Sequence, residues 1–169
     1  MQAVFEGNRM ESWKRTARDA LIMGSVASIA STSALLACGA LEERRPFAPV
    51  NAVSHWYWGE RAAHRDHPSV RYTLFGYITH HAAAIFWALI YEKLFGGPRR
   101  TRTPAREVAN AASIAALACF VDYRMTPRRL TPGYEKRLGR RSLAVVYVMF
   151  GLGLVIGGRL IDALANERA

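Results

Sequence analysis

Residues Ala20–Leu41 read ALIMGSVASIASTSALLACGAL, 22 consecutive positions without a charged side chain. At 1.5 Å per residue, a helix of that length spans about 33 Å, enough for the ~30 Å hydrocarbon core of a bilayer. From Leu21 to Cys38 the only polar side chains are Ser25, Ser28, Ser31, Thr32 and Ser33. Their hydroxyls can bond back to carbonyls of their own helix. A helix of a soluble bundle shows polar residues at every turn, and this stretch does not.

Three further runs follow the same logic. Tyr72–Tyr91 is uncharged over 20 positions, and Ser142–Gly158 over 17. The latter extends toward Ala165 if Arg159 snorkels. Val108–Val121 has only 14 uncharged positions between Glu107 and Asp122. A run that short also suits a buried soluble helix. It contains no helix breaker, is rich in alanine, and ends on Tyr123 and Arg124, which suit an interface. The expected fold is all-α: a polytopic membrane protein, one domain over residues 1–169, built as a four-transmembrane-helix bundle. The spans are expected near 20–41, 72–91, 105–124 and 142–163, with a short interfacial helix near 51–64 between the first two.

Against this pattern the whole-chain averages mislead. The 169 residues carry a formal net charge of +10 and a mean hydropathy of about zero, values of an ordinary basic soluble domain. The charge sits in the connections. Twenty Arg and three Lys flank the runs and leave no basic folded module outside the membrane. Anionic lipid headgroups are therefore the expected counter-charge, and nucleic acid is not an expected partner. The 51% hydrophobic content excludes a disordered chain. Two cysteines, Cys38 and Cys119, exclude a disulfide scaffold and a Cys-rich zinc module; two free thiols are expected.

Lys14, Arg15 and Arg18 before the first run resemble the start of a signal peptide. Leu35-Leu36-Ala37-Cys38-Gly39 resembles a lipoprotein processing site, but Leu36 fits that pattern poorly. An uncleaved first helix is expected. Four spans place both termini on one side, together with the loop Glu92–Glu107. Eleven basic residues fall there: Arg9, Lys14, Arg15, Arg18, Lys93, Arg99, Arg100, Arg102, Arg106, Arg159 and Arg168. Twelve fall on the other side, so their number does not set the orientation. The weight of the first helix favours cytoplasmic termini.

The residues that carry chemistry gather on that other side. His55, Glu60, His80, His81, Asp122 and Arg124 are brought there by four-span topology alone. Trp56, Tyr57 and Trp58 suit the headgroup level as interfacial anchors. Ionisable groups inside a span are costly and rarely face lipid. The cluster reads as a structural polar network. It reads alternatively as a site for zinc, iron, haem, another small ligand or a transported solute, using His80, His81, His55 and Asp122. Gly24 with Ser28, Ala112 with Ala116, and Gly153 with Gly157 form small-xxx-small pairs that let helices approach closely, within the bundle or between copies. No Gly-x-Ser-x-Gly, His-Glu-x-x-His or phosphate-binding loop is present, so no catalytic residue is assigned.

Asn51–Ala63, Thr79-His80-His81 through Tyr91-Glu92, and Asp122-Tyr123 through Pro132-Gly133-Tyr134-Glu135 together resemble small four-helix inner-membrane proteins of bacteria that carry no assigned activity. The resemblance covers most of the chain and implies a bacterial inner-membrane location, but no site residue. The expected function is a non-enzymatic structural or accessory subunit of a membrane complex, with ligand binding or transport at the His/Asp cluster as the alternative.

Overall fold

The uncharged run of 20–41 lies within one unbroken helix, α1 (Gln2–Glu43), which passes through Cys38 without a break. The computed structural model describes residues 2–96 and 103–167, with side chains from residue 12 onward. The charges of Arg9, Arg99, Arg100, Arg102 and Arg168 therefore lie outside the described residues. Helix α1 stops at Arg44, whose left-handed backbone (φ 57°) turns the Arg45 amide back onto the carbonyl of Gly39. Three short helical turns follow: α2 (Ala48–Val53), α3 (His55–Trp58) and α4 (Glu60–Ala63). A π-helical turn, Val70–Leu74, leads into α5 (Phe75–Phe95). Helix α6 (Pro104–Phe120) begins with Thr103 capping the Arg106 amide and Pro104 in the first turn. It ends in a second π-turn, Val121–Met125, and Pro127 forbids its continuation. Helix α7 (Arg140–Asn166) closes the chain. Among the described residues there is no strand.

Three of these helical stretches are long and apolar enough to cross a membrane: Ser12–Glu43, Val70–Phe95 and Arg140–Asn166. Helix α6, at 17 residues, falls short. Large apolar side chains remain exposed along all four long helices, among them Ile29, Phe86, Leu117 and Val148. A lipid environment accommodates such surfaces without hydrophobic cost.

Helix α1 is central, with α7 on one side and α5 on another. Close approach explains both contacts. A methyl group built on Gly157 would lie 2.7 Å from Met23 Cα, and one on Gly153 would collide with the Ala27 backbone. On the other side, a methyl on Gly24 would lie 2.6 Å from Ile85 Cα. Ser28 is fully buried and its hydroxyl has no hydrogen bond among the described residues, so it packs as a small residue. On α6 the small pair is differently placed. Ala112 and Ala116 are exposed, while Ala111 and Ala115 form the buried face, which meets Gly151 of α7.

The expected interfacial helix over 51–64 is also corrected. It is broken at Ser54 and at Gly59, whose φ of 63° with ψ of −161° belongs to a region that only glycine occupies readily. Helix α2 is wholly buried. The Val50 carbonyl of α2 rests against Gly76 of α5, where a Cβ would collide with it. Asn51, fully buried, donates to the carbonyls of Arg65 (2.9 Å) and His67 (3.0 Å) and accepts from Thr73 Oγ1 (2.6 Å). The segment is a plug between helix ends. Only the exposed Trp56 and Tyr57 and the half-buried Trp58 present aromatic rings outward.

Gly157→Leu should separate α1 from α7 and lower thermal stability in detergent sharply, whereas Ser28→Ala should leave it unchanged or raise it. Equal melting temperatures for Gly157→Leu and the native chain would overturn this packing. Asn51→Leu takes the donor from the Arg65 and His67 carbonyls and the acceptor from the Thr73 hydroxyl, at a fully buried position. It should cost about 2–4 kcal/mol in a denaturation series.

Candidate functional site

At one end of the molecule α1 and α6 stop while α5 and α7 begin, and the connecting segments fold over that end. The residues His55, Glu60, His80, His81, Asp122 and Arg124 all lie there, but they serve different structures.

His80 and Asp122 line one cavity of about 500 Å³ bounded by α5, α6 and α7. Val53, Trp56 and Tyr57 of the plug and Leu130, Pro132 and Tyr134 of the later connection roof it. Ile78 and Phe86 of α5, which line it, stand about half exposed, at 49% and 56%. Its walls are mostly apolar and aromatic. Such a volume falls in the range of small-molecule pockets, roughly 300–1,000 Å³.

A chain of hydroxyls ends on the carboxylate in that cavity. Tyr134 OH donates to Tyr147 OH (3.1 Å), and Tyr147 OH donates to Asp122 Oδ2 (2.6 Å). Burial, reinforced by Tyr123 and Asp122 nearby, pushes the Tyr134 phenol well above its ordinary value, so it stays a donor. Asp122 sits in the π-turn, whose wide Thr126 N–H to Val121 carbonyl closure (2.9 Å) is backed by Thr126 Oγ1 on the same oxygen. From α5, Thr79 Oγ1 meets Tyr57 OH at 3.2 Å.

His80 reaches across to α1, its Nε2 lying 2.8 Å from Ser31 Oγ. Ser31 Oγ also lies 2.8 Å from the Ala27 carbonyl. One hydroxyl proton serves both contacts only if Ser31 donates to Ala27 and His80 Nε2–H donates to Ser31. That tautomer leaves His80 Nδ1 as a lone-pair acceptor, with no hydrogen bond among the described residues. The ring also stands edge-on to Tyr134, centroids 6.3 Å apart.

The remaining cluster residues belong to the roof or its margins. His55 is buried, with Nδ1 2.9 Å from the Ala52 carbonyl and Nε2 without a hydrogen bond among the described residues. It lies beneath Gly133, where a Cβ would approach Nδ1 to 2.6 Å. Glu60 is exposed and accepts from Lys136 Nζ at 2.6 Å. The Lys136 ammonium holds the Glu60 carboxyl below its ordinary value. That small contribution is present above the ordinary carboxylate pKa and is lost as pH falls through the lowered one. His81 is half-buried against Tyr77, rings 5.6 Å apart, with Nδ1 without a hydrogen bond among the described residues. Arg124 is exposed.

The strongest tie in the roof involves residues that sequence patterning did not single out. Arg137, with only 13% of its side chain exposed, pairs with Glu43 (2.5 Å) and Asp66 (2.7 Å) and donates to the Ala63 carbonyl (3.2 Å). Asp66 also pairs with Arg45, and Glu42 accepts from Ser142 and from the Gly139 amide. Trp56 Nε1 donates to the Thr131 carbonyl at 3.0 Å. Trp58 donates to the Arg71 carbonyl (3.1 Å), and the Arg71 guanidinium stacks over its ring at 4.2 Å. Together with the Glu60–Lys136 pair, these ties make the roof a closed polar network built mostly outside the sequence-derived cluster.

Among the described residues no three His, Cys, Asp or Glu side chains are placed to hold a metal ion. The zinc and iron alternatives find no ligand set there. His80 Nε2, the nitrogen a haem would take, is engaged by Ser31. Cys38 and Cys119 are both free. The chain matches no family model, no curated protein and no solved structure. What the site can do therefore rests on its own geometry.

Tyr147→Phe removes the only donor to Asp122 among the described residues. It should lower stability by about 1–3 kcal/mol, while His81→Leu should be nearly neutral because no bond is lost. Melting curves of the two variants in one detergent check the contrast, and a larger loss for His81→Leu would reverse these assignments.

Proposed function

We propose that this chain is a four-span integral membrane protein of a bacterial inner membrane that binds a small amphipathic molecule at the His80–Asp122 cavity. The observation that carries the reading is the cavity itself: apolar walls, an opening between helices, and an unused acceptor, His80 Nδ1, in the same cavity as a carboxylate. A molecule with an apolar body and a hydrogen-bonding head complements both parts. The four-span reading is supported by α6 together with its π-turn. Residues 104–125 number 22, about 33 Å at helical rise, and the helix packs on α7. The half-exposed Ile78 and Phe86 that line the cavity then face lipid, from which such a ligand would enter.

The paired roof supports the other expectation, a structural or accessory subunit, because its ions are closed on one another. The cavity favours ligand binding over it, since a purely structural contact would fill that space. Lys14, Arg15 and Arg18 before the first span favour cytoplasmic termini. Exposed arginines of the roof, such as Arg128 and Arg129, suit anionic headgroups.

Ala83 lines the cavity from an exposed position on α5, so Ala83→Trp should fill it without disturbing the packed faces. The neutral fluorescent alcohol pyrenebutanol should bind the purified chain saturably at one equivalent, and Ala83→Trp should abolish the saturable phase. Linear partitioning, identical in the two proteins, would overturn the proposal.

A further inference from the structure

Asp122 presents a carboxylate to the cavity and accepts one hydrogen bond, from Tyr147. Among the described residues no Lys, Arg or His forms an ion pair with it, and no Lys or Arg lines the cavity. Glu135 lies near enough to add to the negative field at Asp122, and both its oxygens are already taken, by Thr131 Oγ1 (2.6 Å) and the Gly133 amide (2.7 Å). A carboxylate removed from water without a counter-charge is costly. Elsewhere at this end the protein supplies counter-charges: Glu60 has Lys136, Glu43 has Arg137, and Asp66 has Arg45 and Arg137. Glu42 and Glu135, which have no ion pair among the described residues, are instead met by donors on both carboxylate oxygens, whereas Asp122 has one donor on one oxygen.

The walls around it have the matching character. Trp56, Tyr57, Trp87, Tyr134, Tyr147 and Phe150 all line the cavity. Aromatic faces carry negative potential and attract organic cations, most strongly where water is excluded. The hydroxyl protons of Tyr134 and Tyr147 are spent on the chain that ends at Asp122, and His80 offers a lone pair. The open hydrogen-bonding capacity of His80 and Asp122 is thus acceptor capacity. An anionic head would meet a carboxylate and lone pairs, whereas a cationic head meets a counter-charge, acceptors and aromatic faces.

We infer that the cavity takes lipophilic organic cations, a single ammonium or phosphonium centre on an apolar body, with Asp122 as the counter-ion. The inference rests on the ligand-pocket reading above and names its ligand class. A zwitterionic lipid headgroup is disfavoured, because it brings a phosphate that no basic side chain in the cavity receives.

The test uses ligand charge on the unaltered full chain in a non-ionic detergent. Tetraphenylphosphonium, its anionic counterpart tetraphenylborate, the neutral triphenylphosphine oxide and short-chain phosphatidylcholine are titrated by calorimetry. Tetraphenylphosphonium should bind at one equivalent, about tenfold or more tighter than the oxide. Tetraphenylborate and phosphatidylcholine should show no saturable binding. Asp122→Asn should remove the preference for the cation, and one-equivalent binding of the oxide by the variant shows that it is folded. Equal affinities for cation and oxide in the native chain would overturn the cation assignment and leave the pocket standing. Tightest binding of phosphatidylcholine would reassign the site to a lipid headgroup. Binding of none of the four, with pyrenebutanol also unbound, would remove the pocket as well as the cation.

Discussion

The contact on which the rest of the structure depends is the approach of α7 to α1 at glycine distance. Gly153 and Gly157 bring the backbones together over Ala27 and Met23. In lipid, apolar side chains gain little by leaving the acyl chains, so van der Waals contact between backbones carries much of the association. The same helix meets α5 through Gly24 and Ile85 on another side. With both partners drawn to α1, α6 is left to pack chiefly on α7, and its contact with α5 is sparse. The gap that results is the cavity. The pocket and the tight core are two outcomes of one distribution of small residues.

Polar groups at the end of the molecule follow a division that burial alone does not predict. Over the connections, opposite charges meet directly: Arg137 gathers Glu43 and Asp66, and Lys136 meets Glu60. Within the cavity, the hydroxyls of Tyr134 and Tyr147 are arranged in series toward Asp122, and among the described residues no cation joins them. Charge pairing fixes the roof in place, and the hydroxyl series sets the chemical character of the space beneath it. Asn51 links the two regions, since its amide orders the chain from Arg65 to Thr73 that leads into α5.

The long helices were legible because a run without charges has few soluble explanations, and the gathering of His80 and Asp122 at one end followed from chain reversal. Other features were hidden for identifiable reasons. Alanine surrounds α6, so composition could not choose Ala111 and Ala115 over Ala112 and Ala116. Asn51 looks like a surface residue, and its burial depends on partners 14, 16 and 22 positions away. Tyr147 reads as one more apolar residue of an uncharged run. A phenol that deep needs a hydrogen-bond partner, and that requirement was the available signal for the series ending on Asp122. Arg137 was one basic residue among many, because its two carboxylate partners are distant in sequence.

Those separations carry a consequence for biogenesis. Arg137 pairs with Glu43 across 94 residues, and the Gly139 amide and Ser142 meet Glu42 across 97 and 100. While the chain is being made, the end of α1 must wait for the last connection before its carboxylates are matched. The roof is thus a late closure, completed only when α7 is entering its place. A truncated or stalled product would expose the unmatched acidic groups and the plug backbone together, a pattern by which proteolysis could distinguish incomplete molecules from finished ones.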